Sequence, residues 1–250
     1  MPEGDALRRI ALLLEPLVGE RLEANAPDRR GAVVARAIDG QVLESVDAIG
    51  KNLLLRFEGG TVVRSHLGMS GRWRVGRTDE AYRGRPWLVL RGRTLQATQW
   101  HGSTLTLDDG RLTRLGPDLL AEETDVARLA SRVSASDPTR LLGEALLDQR
   151  LVAGIGNMWL AELLWHGRLS PWLAVRDVNT SDLERALMWA QVQMRRAVRG
   201  ARHAHAVYRR GGRGCPRCGT PIRSRGLGER NRTAYWCPAC QKPSPPERAL

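Results

Sequence analysis

The sequence predicts an α+β protein of three parts: an N-terminal antiparallel β-sandwich with flanking helices, a helical domain, and a small C-terminal metal module. Three observations predict it. Short β-rich runs separated by glycine-bearing turns occupy residues 30–115. Helical spacing of apolar residues takes over after Gly116-Pro117-Asp118. All four cysteines gather near the C-terminus as two C-x2-C pairs. The expected domain boundaries are 1–120, 121–208 and 209–250.

The first element is a short amphipathic helix over residues 5–18, with Leu7, Ile10, Leu14 and Leu17 on one face and Arg8, Arg9 and Glu15 off it. The β-rich runs are Ala32–Ala37, Leu53–Phe57, Thr61–Ser65, Trp87–Leu90 and Leu105–Leu107. Turns at Gly50-Lys51, Glu58-Gly59-Gly60, Gly68 to Gly71 and Asp108-Asp109-Gly110 separate them. Farther on, Leu141, Leu142, Ala145 and Leu146 form one helical stripe, and Met158 to Trp165 fall in a second. Ser181-Asp182-Leu183-Glu184 reads as a capping box opening a helix with Leu183, Leu187, Ala190, Met194 and Val198 on one face. The Arg- and Gly-rich residues 200–214 read as a linker.

The pairs Cys215–Cys218 and Cys237–Cys240 are 18 residues apart, the spacing of a structural zinc site. Four sulfurs fill a tetrahedral shell and leave no open position for a substrate. Disulfides or buried free thiols are the alternatives for these cysteines.

The chain of 250 residues carries a net charge of +12, and 37 of its 39 basic residues are arginine. That excess fits an anionic partner, most often nucleic acid; the alternative is a basic surface that only aids solubility. No apolar run is long enough to span a membrane, and the opening residues are neither a secretory signal nor a transit peptide, so a cytoplasmic protein is expected. Arginine cannot lose its proton at usable pH, so amine chemistry falls to Lys51, Lys242 or the N-terminus. Removal of Met1 exposes the secondary amine of Pro2. An α-amino group titrates near ~8, so part of it is a neutral nucleophile at neutral pH. Glu3 beside it is a candidate acid or base. By themselves these residues also suit an ordinary frayed terminus.

Met1-Pro2-Glu3-Gly4 resembles the start of the Fpg/Nei family of DNA glycosylases, that is, formamidopyrimidine-DNA glycosylase and endonuclease VIII. Four further segments match in the family's order. Gly50-Lys51-Asn52-Leu53-Leu54-Leu55 is similar to the turn with its essential lysine, and His66-Leu67-Gly68-Met69-Ser70-Gly71 to its intercalation loop. Gly154-Ile155-Gly156-Asn157-Met158 is similar to its helix–two-turns–helix motif, and Cys215 to Cys240 to its zinc finger.

The resemblance implies a bifunctional DNA glycosylase and AP lyase of base excision repair. Pro2 would be the nucleophile, forming a Schiff base that drives β,δ-elimination. Glu3 would be the acid/base and Lys51 a phosphate contact assisting catalysis. It further implies DNA contacts at Asn157, Arg232, Arg230 and His66, and a wedge at Met69. Plain alternatives are a turn lysine, a helix N-cap at Asn157 and core packing for Met69. One structural zinc, damaged DNA as partner, no membrane, a monomer and a nucleoid location complete the expectation.

Gly4 places the chain nearer the endonuclease VIII branch, which implies oxidised pyrimidines as lesions. Ala6 departs from the Pro-Glu-Leu-Pro-Glu start of formamidopyrimidine-type members, and Asp5 is the neighbouring carboxylate. The family's Arg-Arg-Phe-Gly segment is absent; that region reads Gln99-Trp100-His101-Gly102. An 8-oxoguanine/formamidopyrimidine-type glycosylase and a non-catalytic DNA-structure-binding member are the alternative functions.

Overall fold

The computed structural model describes residues 2–245 apart from Asp109 and Arg230. The chain forms two compact units, Met1–Thr113 and Arg114–Leu250.

The first unit opens with α1 (Gly4–Leu14), which buries Leu7, Ala11 and Leu14 at helical spacing. Pro16 ends the α-helix, because it lacks an N–H and its ring clashes with the preceding turn; a 3-10 turn over Glu15–Leu17 follows. The strands are β1 (Glu23–Asn25), β2 (Leu43–Ile49), β3 (Asn52–Phe57), β4 (Val62–His66), β5 (Arg72–Arg77), β6 (Leu88–Arg91), β7 (Leu95–Trp100) and β8 (Thr104–Leu107). They build two antiparallel sheets in the orders β1-β6-β7-β5 and β2-β3-β4-β8. Leu43, Leu53, Leu55 and Val63 of one sheet share a core with Trp73, Leu88, Leu90 and Ala97 of the other, which makes the expected sandwich. Leu7, Ala11 and Leu14 belong to the same core.

One element differs in type. The run Ala32–Ala37, expected as a strand, lies in helix α2 (Ala32–Ile38). Val33 and Val34 suggest a strand by propensity, but Val34, Ala35 and Ile38 reach the core at helical spacing, and tertiary burial outweighs propensity.

The second unit holds α3 (Val126–Ser134), α4 (Leu142–Leu147), α5 (Asn157–His166), α6 (Thr180–Val198) and the hairpin β9 (Arg223–Leu227)–β10 (Arg232–Trp236). Leu183, Leu187, Ala190 and Met194 are buried along α6 as their spacing requires. Its cap, however, is Asn179, whose side chain accepts the Ser181 and Asp182 N–H groups at 2.9 and 3.2 Å. Asn is at least as good a cap as Ser, so the helix starts upstream of the expected box. Leu227, Ala234 and Trp236 of the hairpin lie in one core with Trp159, Leu163 and Trp172. Residues 200–214 are no free linker: the buried Glu162 of α5 accepts hydrogen bonds from the Ala206, Val207 and Tyr208 N–H groups.

Candidate active site and nucleic-acid interface

The N-terminal residues are held by α1. Glu3 is its N-cap residue, with extended backbone, and its carbonyl accepts the Ala6 and Leu7 N–H groups at 3.0 and 3.2 Å. Its side chain does not cap the helix, yet it is only 3% exposed. The carboxyl group therefore lies beside a helix N-terminus and is sheltered from water. Pro2, immediately before it, is half-buried. Asp5, also half-buried, lies in the first turn of α1.

Lys51 sits on the two-residue turn of the β2–β3 hairpin, closed by the Ile49–Asn52 pair. Gly50 takes φ +58°, the left-handed conformation that glycine adopts without steric cost. Lys51 is 8% exposed, so it is not an ordinary turn lysine in water. Helix α1 packs on both strands of this hairpin.

His66 ends β4, whose Ser65 pairs with Leu53 of β3, so the histidine lies beside the start of β3 and the Lys51 turn. Burial pushes its imidazole below the ordinary histidine value, and the cations of Lys51 and Arg64 push the same way. The Gly68 N–H donates to His66 Nδ1 at 3.2 Å, and Ser103 Oγ lies 2.6 Å from the same nitrogen. An Nδ1 that accepts leaves the proton on Nε2, so the ring is neutral and presents one N–H donor. The Ser103 N–H donates to the His66 carbonyl at 2.9 Å, tying the 66–71 loop to the turn after β7. Nothing local in the sequence signals Ser103, which lies 37 residues away. Because the folded ring binds its proton less tightly than the unfolded one, its contribution to stability is intact above ~6.5 and is lost as pH falls below that value. An NMR titration of His66 is therefore expected to show a midpoint below that of a free histidine; a midpoint at or above it would contradict the arrangement.

Met69, at the tip of the same loop, is 86% exposed, which rules out core packing. Gly71 holds the base of the loop tight: a Cβ there would meet the Leu67 carbonyl oxygen at 2.5 Å and Gly102 Cα at 2.8 Å.

In the second unit, Asn157 is the first residue of α5, and Gly156, not Asn157, is the N-cap. The Asn157 side chain instead donates from Nδ2 to the Thr233 carbonyl at 2.7 Å. That bond fixes it next to Arg232, the first residue of β10. Arg232 borders a cavity of about 550 Å³ lined also by Arg140, Glu144, Asp148 and Arg150. Arg230 lies outside the described residues. Lys242, the other lysine, follows the cysteine module.

The four cysteines come together. Their Sγ atoms all lie within 4.8 Å of one another, with Cys218 3.4 Å from both Cys237 and Cys240. Four thiolates around one zinc at ~2.3 Å stand about 3.8 Å apart, so the cluster fits that ion and is too wide for a disulfide. Burial and the neighbouring sulfurs push the Cys240 thiol up to about 12, a penalty that a bound cation removes. The Trp165 Nε1–H and the Arg217 backbone N–H each donate to Cys215 Sγ at 3.4 Å. Gln241, fully buried, accepts the Cys237 N–H and donates to the Leu169 carbonyl, both at 2.9 Å, pinning the second cysteine pair to the helical core. The cluster is a closed structural zinc site.

The two-sheet unit with a buried glutamate at position 3 and the helical unit with its zinc-held hairpin are together the scaffold of a DNA-repair glycosylase. The family models bear this out. Residues 1–115 match the formamidopyrimidine-DNA glycosylase N-terminal domain, 115–207 its H2TH domain, and 215–243 the zinc finger found in FPG and IleRS. A Streptomyces coelicolor protein named probable endonuclease 8 2 is 36% identical, covering 96% of this chain and 94% of its own length. The DNA-(apurinic or apyrimidinic site) lyase Nei2 of Mycolicibacterium smegmatis is 35% identical, covering 98% and 100%. Among solved structures, Lactococcus lactis Fpg in complex with abasic-site DNA has a TM-score of 0.82 at 21% identity, covering 96% of this chain and all of that one. The chain belongs to the Fpg/Nei family, on its endonuclease VIII branch.

Proposed function

We propose that this protein excises oxidised pyrimidines from DNA and cleaves the strand at the resulting site, with the Pro2 amine as nucleophile. The supporting observation is Glu3: a carboxyl group on the residue after Pro2, buried, and not used to cap its own helix. The lone pair of the Pro2 nitrogen attacks C1′ of the damaged nucleotide and the glycosidic bond breaks, its electron pair leaving with the base. Glu3 supplies a proton on this path and takes one back. The sugar ring opens to an iminium on Pro2, which acidifies the 2′ protons. Loss of a 2′ proton expels the 3′ phosphate, and a second elimination expels the 5′ phosphate.

Lys51 holds a phosphate near the lesion, and neutral His66 donates from Nε2 to the same backbone. Asn157 and Arg232 bind phosphates flanking the flipped nucleotide, and Met69 fills the space that the nucleotide leaves. The family models and the relatives named for endonuclease 8 and AP lyase activity support the bifunctional reaction. The DNA complexes of the L. lactis protein support damaged DNA as the partner. We further read the chain as three functional domains, 1–120, 121–208 and 209–250, acting as a monomer at the nucleoid. Among the described residues no helix is long and apolar enough to cross a membrane.

A second substrate class has its own support: the formamidopyrimidine-DNA glycosylase of Thermus thermophilus is 33% identical over 98% of this chain. A panel of duplexes separates the readings. Cleavage of thymine-glycol DNA is expected to exceed that of 8-oxoguanine DNA by more than about tenfold in kcat/KM. The reverse order would make it a purine-lesion enzyme. Salt-sensitive binding with no cleavage of any duplex would make it a binding protein.

A further inference from the structure

The net charge is concentrated in one stretch. Between Glu184 and Glu229 there are eleven arginines and no acidic residue, so residues 185–228 carry +11 of the chain's +12. Elsewhere arginines are commonly matched: Arg21 with Glu58, Arg77 with Asp79, and Arg140 and Arg150 with Asp148. Arg202, Arg209 and Arg213 are exposed and make no ion pair among the described residues. They stand on the segment between α6 and the first cysteine pair.

This segment is anchored at its middle and at its end. At its middle, Glu162 is 1% exposed, and its carboxylate accepts the Ala206 N–H on Oε2 at 2.8 Å and the Val207 and Tyr208 N–H groups on Oε1 at 3.0 and 2.9 Å. His203 Nε2 lies 3.5 Å from Oε2, and its ring packs 5.0 Å from Trp159 and 5.6 Å from Trp189. At its end, the Gly212 N–H donates to the Ile222 carbonyl and the Ile222 N–H to the Arg213 carbonyl, at 2.8 and 2.9 Å. Between the anchors Arg209 adopts φ +56°, a sparsely populated conformation for a non-glycine residue, with its guanidinium over the Tyr208 ring at 5.5 Å. Such a conformation persists where its surroundings enforce it.

We propose that residues 199–214 form an arm that grips the DNA backbone through Arg202, Arg209 and Arg213, and that buried Glu162 is the positioning residue that holds the arm in place. The partner class rests on the DNA-binding reading above. A polyanion suits the arm better than a membrane does, because its two largest apolar side chains, Val207 and Tyr208, are buried and half-buried and offer nothing to insert. The carboxylate is needed because it gives two acceptor oxygens to three N–H groups. In Glu162→Gln the amide nitrogen would replace one oxygen and confront an N–H donor with another.

Binding of a lesion-free duplex is measured by fluorescence anisotropy across a salt series, for the full chain and two variants. The double variant Arg209→Gln/Arg213→Gln is expected to lower the slope of log affinity against log salt by about 1.8, as for two lost phosphate contacts. Glu162→Gln is expected to weaken binding and lower the slope as well, although it raises the net charge from +12 to +13. Charge alone predicts the opposite sign for that variant, so affinity equal to or above wild type with zinc retained overturns the positioning role. An unchanged slope in the arginine variant overturns the arm, and that variant decides the question if Glu162→Gln does not fold. A slope change with an RNA duplex and none with DNA also overturns it. The assay requires no excision, so a protein that failed the lesion panel could still pass this test.

Discussion

Borohydride added to the processed protein and abasic-site DNA is expected to trap a covalent protein–DNA adduct, and Pro2→Gly to lower its yield by at least about tenfold. The trap reduces the iminium that forms when a neutral amine attacks C1′. With Met1 removed, Pro2 offers a secondary amine of ordinary pKa ~8, against ~10.4 for lysine, so far more of it is neutral at neutral pH. A tag that blocks the N-terminus should abolish trapping outright. Glu3→Gln tests the neighbouring carboxyl group separately. Base excision should fall by about 10²–10⁴, the usual worth of a positioned acid/base. Trapping on a pre-formed abasic site should fall less, since no base has to leave. An adduct that survives N-terminal blocking and disappears in Lys51→Gln would move the nucleophile to Lys51.

The second large effect concerns the metal. Stripping zinc with a chelator, or replacing Cys237 with Ser, is expected to lower the melting temperature by about 10 °C or more, on the scale of 2–4 °C per kcal/mol for a chain of this size. Zinc contributes about 10–16 kcal/mol in isolated finger peptides, and the site here is fastened to its surroundings. Leu227, Ala234 and Trp236 of the hairpin share a core with Trp172, and Gln241 ties the second knuckle to Leu169. Releasing the sulfurs therefore loosens Arg232 and the Thr233 carbonyl that holds Asn157. DNA affinity is expected to fall by at least about a hundredfold, in line with the loss of several phosphate contacts. Metal content, calorimetry and anisotropy on one preparation check the three outcomes together. A chelated protein that kept both its melting temperature and its affinity would show that the zinc is dispensable.

The features legible in sequence were those with a local period or a fixed spacing. The helical stripe of α6, the strands at Leu53–Phe57 and Leu105–Leu107, and the two C-x2-C pairs each announce themselves within a few residues. Strands β1, β2, β5 and β7 hold no continuous apolar run; in β5 the exposed Arg72 and Arg74 alternate with the buried Trp73 and half-buried Val75, a pattern only two residues deep. The valines of α2 misled because strand propensity is a weak guide when burial decides. Long-range partnerships were invisible: Ser103 on His66, Thr233 on Asn157, and Glu162 on the turn at 206–208. Only Glu162 left a trace, a carboxylate among the apolar residues of α5, which has meaning once a buried charge is assumed to need partners.

The indole of Trp165 donates to a zinc-ligating sulfur while the Arg217 guanidinium lies 4.3 Å over its ring. This tryptophan is thus an optical gauge of the metal. Its emission is expected to shift with the charge on the Cys215 sulfur, and a Trp165→Phe variant separates that signal from the other seven tryptophans.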